Sequence, residues 1–260
     1  MEELEIYNDF AMIYDIFMED TPYAQWVSFI EDIIKAQGIT PKLICDLGCG
    51  TGKMCEMFAD KGFDVIGIDA SEEMLMIARE NEMEAQRGIL YLMQDMSEFE
   101  LYGTVDVIYS SCDSINYLME EEKVLSMFKW VNNYLEKGGL FIFDVNTPHK
   151  YKTLLGEKVF ADQTEDAAYI WENFYDEKQQ VNEFYVSFFV ADEDGRYDRF
   201  EEVHYQKAYE VERIKALLDT AGMELVAVYD DYTTKPCDTS TFRATFVARE
   251  KQVEGKVYID

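Results

Sequence analysis

The stretch that most constrains this chain is LICDLGCGTGKM, Leu43 to Met54. Leu43, Ile44 and Cys45 form a short apolar run that ends at Asp46, glycines alternate at Gly48, Gly50 and Gly52, and helix-forming residues resume at Lys53. Strand, tight turn and helix follow from that order. Glycine has no Cβ and takes positive φ without penalty, so the backbone of such a turn can pass close to a ligand. The next apolar run, Val65 to Ile68, stops on Asp69. That acid lies about 20 residues past Gly48, the spacing at which the second strand of a doubly wound sheet delivers a carboxylate to a ribose. A plain strand-to-helix turn would also suit the glycines; Asp69 tips the reading toward a ligand.

The rest of the chain supports a parallel sheet around this turn. Strand-like and helix-like segments alternate through Leu43–Asp46, the helix from Lys53, Val65–Asp69, Glu72–Asn81, Ile89–Gln94, Val105–Ser110, Lys123–Leu135 and Leu140–Asp144, the last entered through a turn at Lys137, Gly138 and Gly139. Such alternation implies helices on both faces of a parallel sheet, with the strand C-termini along one edge, where ligands bind. Before it, Tyr7, Phe10, Ala11, Ile13, Tyr14 and Phe17 recur at helical spacing, and a second helix from Tyr23 carries Trp26, Phe29, Ile30, Ile33 and Ile34. From Tyr151 to Tyr209 the alternation stops, and Ala168–Tyr175, Val181–Ala191 and Tyr197–Tyr209 read as short antiparallel strands. A helix, Glu210–Ala221, and two strands, Glu224–Tyr229 and Phe242–Arg249, complete the sheet.

Spacing separates the ligand classes that such a loop can serve. A phosphate-binding P-loop needs G-x-x-x-x-G-K-[ST], but Met54 follows Lys53 and the first glycine is out of place. In the dinucleotide fingerprint G-x-G-x-x-G the third glycine would come one residue later, which disfavours a nicotinamide oxidoreductase. What remains is D-x-G-x-G-x-G, and here the chain resembles the class I S-adenosylmethionine-dependent methyltransferases, in particular bacterial small-molecule enzymes of the glycine N-methyltransferase-like type with a β insertion. The resemblance implies an α/β fold: a doubly wound, seven-stranded Rossmann-like sheet with a small antiparallel β insertion. It divides the chain into an N-terminal helical lid (1–40), a cofactor-binding core (41–150), a substrate cap (151–209), the end of the core (210–250) and a tail (251–260).

The resemblance also implies site residues. S-adenosyl-L-methionine would lie against Asp46, Gly48 and Gly50. Its ribose would sit on Asp69 beside Ala70, its adenine on Asp95 and Met96, and its sulfonium end near Ser111, with Tyr7 and Tyr14 closing over the methionine end. Asp113 and Tyr117 are the catalytic candidates, and Asn116 shares their loop. The insertion supplies Trp171, Tyr175, Tyr185, Phe188 and Tyr205, some of which would roof the acceptor and others form the face of a small sheet, while Trp26 belongs to the core. Neither histidine, His149 or His204, receives a role. A binding module that keeps the cofactor site without turnover is the competing reading.

Charge narrows the partners. The formal net charge is −30, from 23 basic and 53 acidic residues. Nucleic-acid binding needs Lys and Arg to neutralise phosphates, and no basic cluster is present, so a nucleic-acid target is disfavoured and a small-molecule acceptor expected. The Asn/Asp-Pro-Pro-aromatic motif of enzymes that methylate adenine or glutamine amides is absent from Ser110 to Tyr117. No apolar run approaches the roughly 20 residues of a membrane span, and the acidic start is unlike a signal peptide, so a cytoplasmic location is expected. The five cysteines form no paired framework, and the spacing of Cys45, Cys49 and Cys55 fits no zinc or iron–sulfur pattern. No metal is expected, and the oligomeric state is left open.

Overall fold

Strand β1 (Leu43–Leu47) is buried from its second residue onward, which explains the apolar run that leads up to Asp46: helices cover both faces of the sheet it enters. The computed structural model describes residues 14, 15, 17–164, 167–192, 194–251 and 256. Its other strands are β2 (Asp64–Asp69), β3 (Leu90–Met93), β4 (Val105–Ser110), β5 (Leu135–Asn146), β6 (Val159–Gln163), β7 (Ala167–Asp176), β8 (Val181–Ala191), β9 (Tyr197–Lys207), β10 (Glu224–Asp230) and β11 (Arg243–Arg249). The helices are α1 (Tyr23–Ala36), α2 (Lys53–Asp60), α3 (Glu72–Ala85), α4 (Glu121–Tyr134) and α5 (Val211–Thr220).

The main sheet has seven strands in the order β3-β2-β1-β4-β5-β11-β10. β11 alone runs against its neighbours; the pairs β1–β2, β1–β4, β2–β3 and β4–β5 are parallel. Strand order reverses between β1 and β4, so the loops that leave these two strands diverge and open a crevice at the C-terminal edge. On one face α1 and α2 press Phe29, Ile30, Ile34 and Phe58 onto Ile44, Val107 and Ile142. On the other, α4 and α5 cover Phe141, Phe143 and Phe246 with Phe128, Val131, Ile214 and Leu218. The apolar stripe of α1 follows from the spacing of Trp26, Phe29, Ile30, Ile33 and Ile34, all buried. At about 1.5–3 kcal/mol per large side chain, that stripe contributes on the order of 10 kcal/mol gross.

Two sequence expectations need correction. Lys137, Gly138 and Gly139 do not turn the chain into β5; the strand already begins at Leu135 and runs through them. Its pairing with β4 shifts register between Val105 and Val107. The glycines permit that irregularity: Gly138 has φ +74°, and a Cβ on Gly139 would stand 2.7 Å from the carbonyl oxygen of Asp106. The second sheet has four strands, β6-β7-β8-β9, not three. β6 is mostly exposed and only five residues long, against ten or eleven for β7, β8 and β9.

Register decides which face of this second sheet turns inward. Tyr169 pairs with Phe188, Trp171 with Val186, Phe184 with His204, and Val186 with Glu202. Side chains two apart share a face, so Tyr169, Trp171, Phe184, Val186, Phe188, Glu202, His204 and Gln206 form one surface, and all of them line the large cavity below. Of the five candidate roof residues, only Trp171 and Phe188 lie there. Tyr185 and Tyr205 stand on the opposite face and share Glu183 as hydrogen-bond acceptor. Tyr175 instead stacks on Tyr151.

Candidate active site

The C-terminal edge of the main sheet and the inner face of the second sheet enclose a cavity of about 1080 Å³. Small-molecule pockets span roughly 300–1,000 Å³, so two reactants fit side by side. On the side of the main sheet it is lined by Asp46, Gly48, Gly50, Asp69, Ala70, Asp95, Met96 and Ser111, the residues singled out in sequence. Tyr14 reaches the same cavity from the N-terminal segment. Tyr7 lies outside the described residues. Asp113 and Tyr117 also line it, at the exit of β4.

The glycine turn is shaped for close approach. Gly48 has φ +81°, and a Cβ there would come within 2.7 Å of Ser114 Oγ and 2.8 Å of Ser114 Cβ. Gly50 has φ +53°, and a Cβ there would meet only open space. Asp69 reinforces the turn: its Oδ2 accepts the Gly50 N–H at 2.7 Å and its Oδ1 the Ser71 N–H at 2.9 Å. Ser71 in turn caps α3 through the N–H of Met74. Burial pushes the Asp69 carboxyl up against the pull of these two donors.

Asp46 is almost fully buried at the end of β1. Its Oδ2 accepts from the Cys55 thiol at 3.4 Å; its Oδ1 has no partner among the described residues. Burial raises its pKa to about 7. Asp95 differs. Its Oδ1 takes both the N–H and the hydroxyl of Ser97 at 2.7 Å. Burial opposes the charge, but those two bonds prevail and hold this carboxyl below its ordinary value. Ser111 donates to the sulfur of Met54 at 3.1 Å. Cys45, Cys49 and Cys55 are buried free thiols.

The far side of the cavity is organised by Arg243, which sequence reasoning missed. Its Nη1 lies 2.6 Å from Asp144 Oδ2 and its Nη2 2.9 Å from Asp113 Oδ1. Trp26 packs under the guanidinium at 5.0 Å, so this tryptophan serves both the core and the cavity wall. Tyr232 donates to the other oxygen of Asp144 at 2.7 Å. Burial works against the charge on Arg243, but Asp144 and Asp113 outweigh it and keep the guanidinium protonated. The signal was present in the sequence: β11 is antiparallel, so its first residue, not its last, reaches the ligand edge.

Asp113 is therefore fully engaged. Its second oxygen accepts from Gln206 Nε2 at 2.7 Å, and its own N–H donates to Asp144. Cys112 and Asp113 both have positive φ, +60° and +53°. Two consecutive non-glycine residues in that region are costly and persist only where the surroundings impose them. Asn116 is a hydrogen-bonder within the loop and does not line the cavity. It is buried, donates to the carbonyls of Asn146 and Lys207, and accepts from the Asn146 N–H, pinning the β4 exit to β5 and β9. Burial and the charge of Asp113 push the Tyr117 phenol up, which makes it a hydrogen-bond donor rather than a base.

Further groups enter the cavity, and of these only Trp171 is expected there from the sequence. Lys150 donates to Asn146 Oδ1 at 2.8 Å, and burial lowers its pKa. Trp171 Nε1 is buried without a partner among the described residues. Glu202 and His204 stand 2.7 Å apart. His149, by contrast, stacks on Phe242. The N-terminal segment bridges the two sides: Asp15 accepts from Thr51 and pairs with Lys53 at the glycine turn, while Phe17 packs on Tyr169 and Phe188 of the second sheet.

Known proteins share this architecture. A family model described as a methyltransferase domain matches residues 44–139. YqeM of Bacillus subtilis (strain 168), whose name assigns it as a methyltransferase without naming an acceptor, is 38% identical over 250 residues, 95% of this chain and 98% of its own. A dTDP-3-amino-3,4,6-trideoxy-alpha-D-glucopyranose N,N-dimethyltransferase of Streptomyces venezuelae is 28% identical over 138 residues, 52% of this chain and 56% of its own. The crystal structure of an S-adenosylmethionine-dependent methyltransferase from Clostridium acetobutylicum ATCC 824 superposes with a TM-score of 0.85 at 31% identity, covering 94% of this chain and 98% of that one. None of these relatives bears on the narrower likeness to glycine N-methyltransferase. No helix among the described residues is long and apolar enough to cross a membrane. The chain belongs to the class I S-adenosylmethionine-dependent methyltransferases, and it is an enzyme that uses S-adenosylmethionine.

Proposed function

We propose that the enzyme methylates a small-molecule acceptor held between the glycine turn and the inner face of the second sheet. The observation that carries this reading is the single cavity lined by both surfaces. The Streptomyces relative, by name an amino-sugar dimethyltransferase, supports an acceptor of small size. The acidic balance of the chain supports it too, since such a surface repels polyanions.

In this reading the cofactor supplies an electrophilic methyl group on a positively charged sulfur. Asp69 accepts from the ribose hydroxyls with the lone pairs that Gly50 and Ser71 leave free, and Ala70 lies beside it. Asp95 Oδ2 and the Met96 backbone serve the adenine edge. The unpartnered Oδ1 of Asp46 and the open ground over Gly48 and Gly50 suit the cationic methionine end, with Tyr14 and Ser111 beside it. Tyr117 orients the acceptor, and Asp113 shapes its site through Arg243. Holding two reactants in line can supply up to about 7–11 kcal/mol of the barrier, so positioning is the chief task of these residues.

Calorimetry with S-adenosylmethionine, paired with an acceptor screen scored by S-adenosylhomocysteine release, tests the proposal. Binding that survives Asp69→Ala unchanged would remove the cofactor placement. Turnover confined to macromolecular acceptors would remove the small-molecule assignment.

A further inference from the structure

One acid–imidazole pair in the cavity has no task in the reading above. Glu202 and His204 are two apart on β9 and share its inner face. His204 Nε2 lies 2.7 Å from Glu202 Oε2. The ring stacks on Phe184, with centroids 4.9 Å apart and planes at 18°, and meets Tyr117 edge-on at 5.9 Å. Tyr117 closes the short 3-10 turn, Ser114–Tyr117, just after β4. A carboxylate accepting from Nε2–H leaves the lone pair of a neutral imidazole on Nδ1. A base whose second nitrogen is oriented by an acid is the arrangement that activates nucleophiles.

The surroundings indicate what that nucleophile is. Tyr117, Tyr169, Trp171, Phe184 and Phe188 present aromatic rings to this end of the cavity, and aromatic faces attract cations. The charged and titratable groups that share the space are Glu202 from β9, Asp113 and Tyr117 from the β4 exit, Lys150, Arg243 from β11, and Tyr14, Asp20 and Cys112. Arg243 is already matched by two aspartates. Resting on the methyltransferase reading of this cavity, we propose that His204, held by Glu202, takes a proton from an ammonium group of the acceptor, which is a small amine methylated on nitrogen.

The step balances without another reactant. The proton leaves the ammonium nitrogen for Nδ1, and the freed lone pair takes up the methyl group. The electrons of the broken carbon–sulfur bond remain on sulfur. The imidazolium, stabilised by Glu202, then returns its proton to water. In this step His204 is the catalytic residue and Glu202 a positioning residue.

The chain has two histidines, so the ring can be watched directly by NMR. In protein labelled with 15N-histidine and saturated with S-adenosylmethionine, His149→Gln identifies the His204 signals. Two-bond proton–nitrogen correlations should show the Nε2–H tautomer, and Glu202→Gln should mix in the other. A ring held as the Nδ1–H tautomer overturns the proposal. In turnover, primary amines should react ahead of matched alcohols and thiols. His204→Gln should lower kcat about 100-fold and remove the acid limb of the kcat/KM profile, while cofactor Kd stays within about twofold. Glu202→Gln should lower kcat about 10-fold, with the limb retained. The reverse order of acceptors, no turnover of any amine, or an unaltered kcat in His204→Gln counts against it. Failure of the wild-type protein to bind S-adenosylmethionine would instead sink the underlying reading.

Discussion

The two sides of the cavity treat their carboxylates in opposite ways. At the glycine turn, Asp46, Asp69 and Asp95 have no ion-pair partner among the described residues; backbone N–H groups, the hydroxyls of Tyr109 and Ser97 and the Cys55 thiol meet them. On the far side, Asp113 and Asp144 share Arg243, and Glu202 holds His204. An unpaired buried charge is costly, and a cationic ligand relieves it. Asp46, the most buried of the three, keeps one oxygen without a partner among the described residues, and it is there that the cationic end of the cofactor is proposed to lie. The far side meets its carboxylates with its own side chains, and what it offers an acceptor is shape, aromatic faces and fixed hydrogen-bonding groups.

Removing the internal cation should produce the largest effect. Arg243→Met leaves Asp113 and Asp144 buried and uncompensated, a loss of about 3–5 kcal/mol. Chemical denaturation checks it, and a loss under 1 kcal/mol would mean the far side does not depend on its own neutralisation.

Asp46→Asn tests the other side and should act in the opposite direction. The Asp46 carboxyl has a folded-state pKa of about 7 against an ordinary 3.8, through burial. The unfolded chain releases this proton near pH 4 while the folded protein keeps it until about pH 7. Stability from this group is thus complete below the lower value and lost as pH rises through that window. At 1.36 kcal/mol per pH unit the loss is roughly 4 kcal/mol. Ligand-free Asp46→Asn should lack that slope and exceed the wild type in stability at pH 8, while binding S-adenosylmethionine more weakly. Calorimetry of the wild type at pH 6.5 in buffers of different ionisation enthalpy should register a released proton. Parallel stability profiles for the two proteins would break the contrast.

The same contrast explains what could be read from the sequence. The turn is contiguous: strand, glycines and helix lie within Leu43–Met54, and Asp69 follows at a fixed spacing, because the backbone itself makes the surface. All seven strands of the main sheet were legible for a similar reason, since apolar runs report burial on both faces. The far side is assembled from Asp113, Lys150, Trp171, His204 and Arg243, which no spacing links. Its face is also ambiguous. Both sides of β8 and β9 carry aromatic rings, so composition could not choose Phe184 and His204 over Tyr185 and Tyr205. That choice depends on which face the main sheet covers. Exposed β6, five residues long, is too short to show an alternating pattern.

Asp69→Ala should follow in size. Loss of a hydrogen bond to a charged group costs about 1.5–3 kcal/mol, so cofactor affinity should fall by roughly 10- to 100-fold. Asp69 also holds the Gly50 and Ser71 N–H groups, but burial opposes its charge, so ligand-free stability should fall by only about 1 kcal/mol. A large fall in stability without cofactor would place Asp69 among the structural carboxylates of the far side.

The smallest effect concerns the segment that joins the two sides. Phe17 meets Tyr169 edge-on at 4.6 Å and stacks near Phe188 at 6.0 Å, whereas its neighbour Asp15 is tied to Thr51 and Lys53. Aromatic pairs of this kind contribute about 0.5–1.5 kcal/mol beyond their buried area. Phe17→Ala therefore loosens the attachment to the second sheet and spares the one to the glycine turn. Acceptor KM should rise a few-fold while cofactor Kd, measured by calorimetry, stays within about twofold. Asp15→Ala should do the converse, weakening the cofactor more than the acceptor. Were both variants to raise the two constants together, the segment would act as one rigid cover, and the division between the glycine turn and the far side would stop short of it.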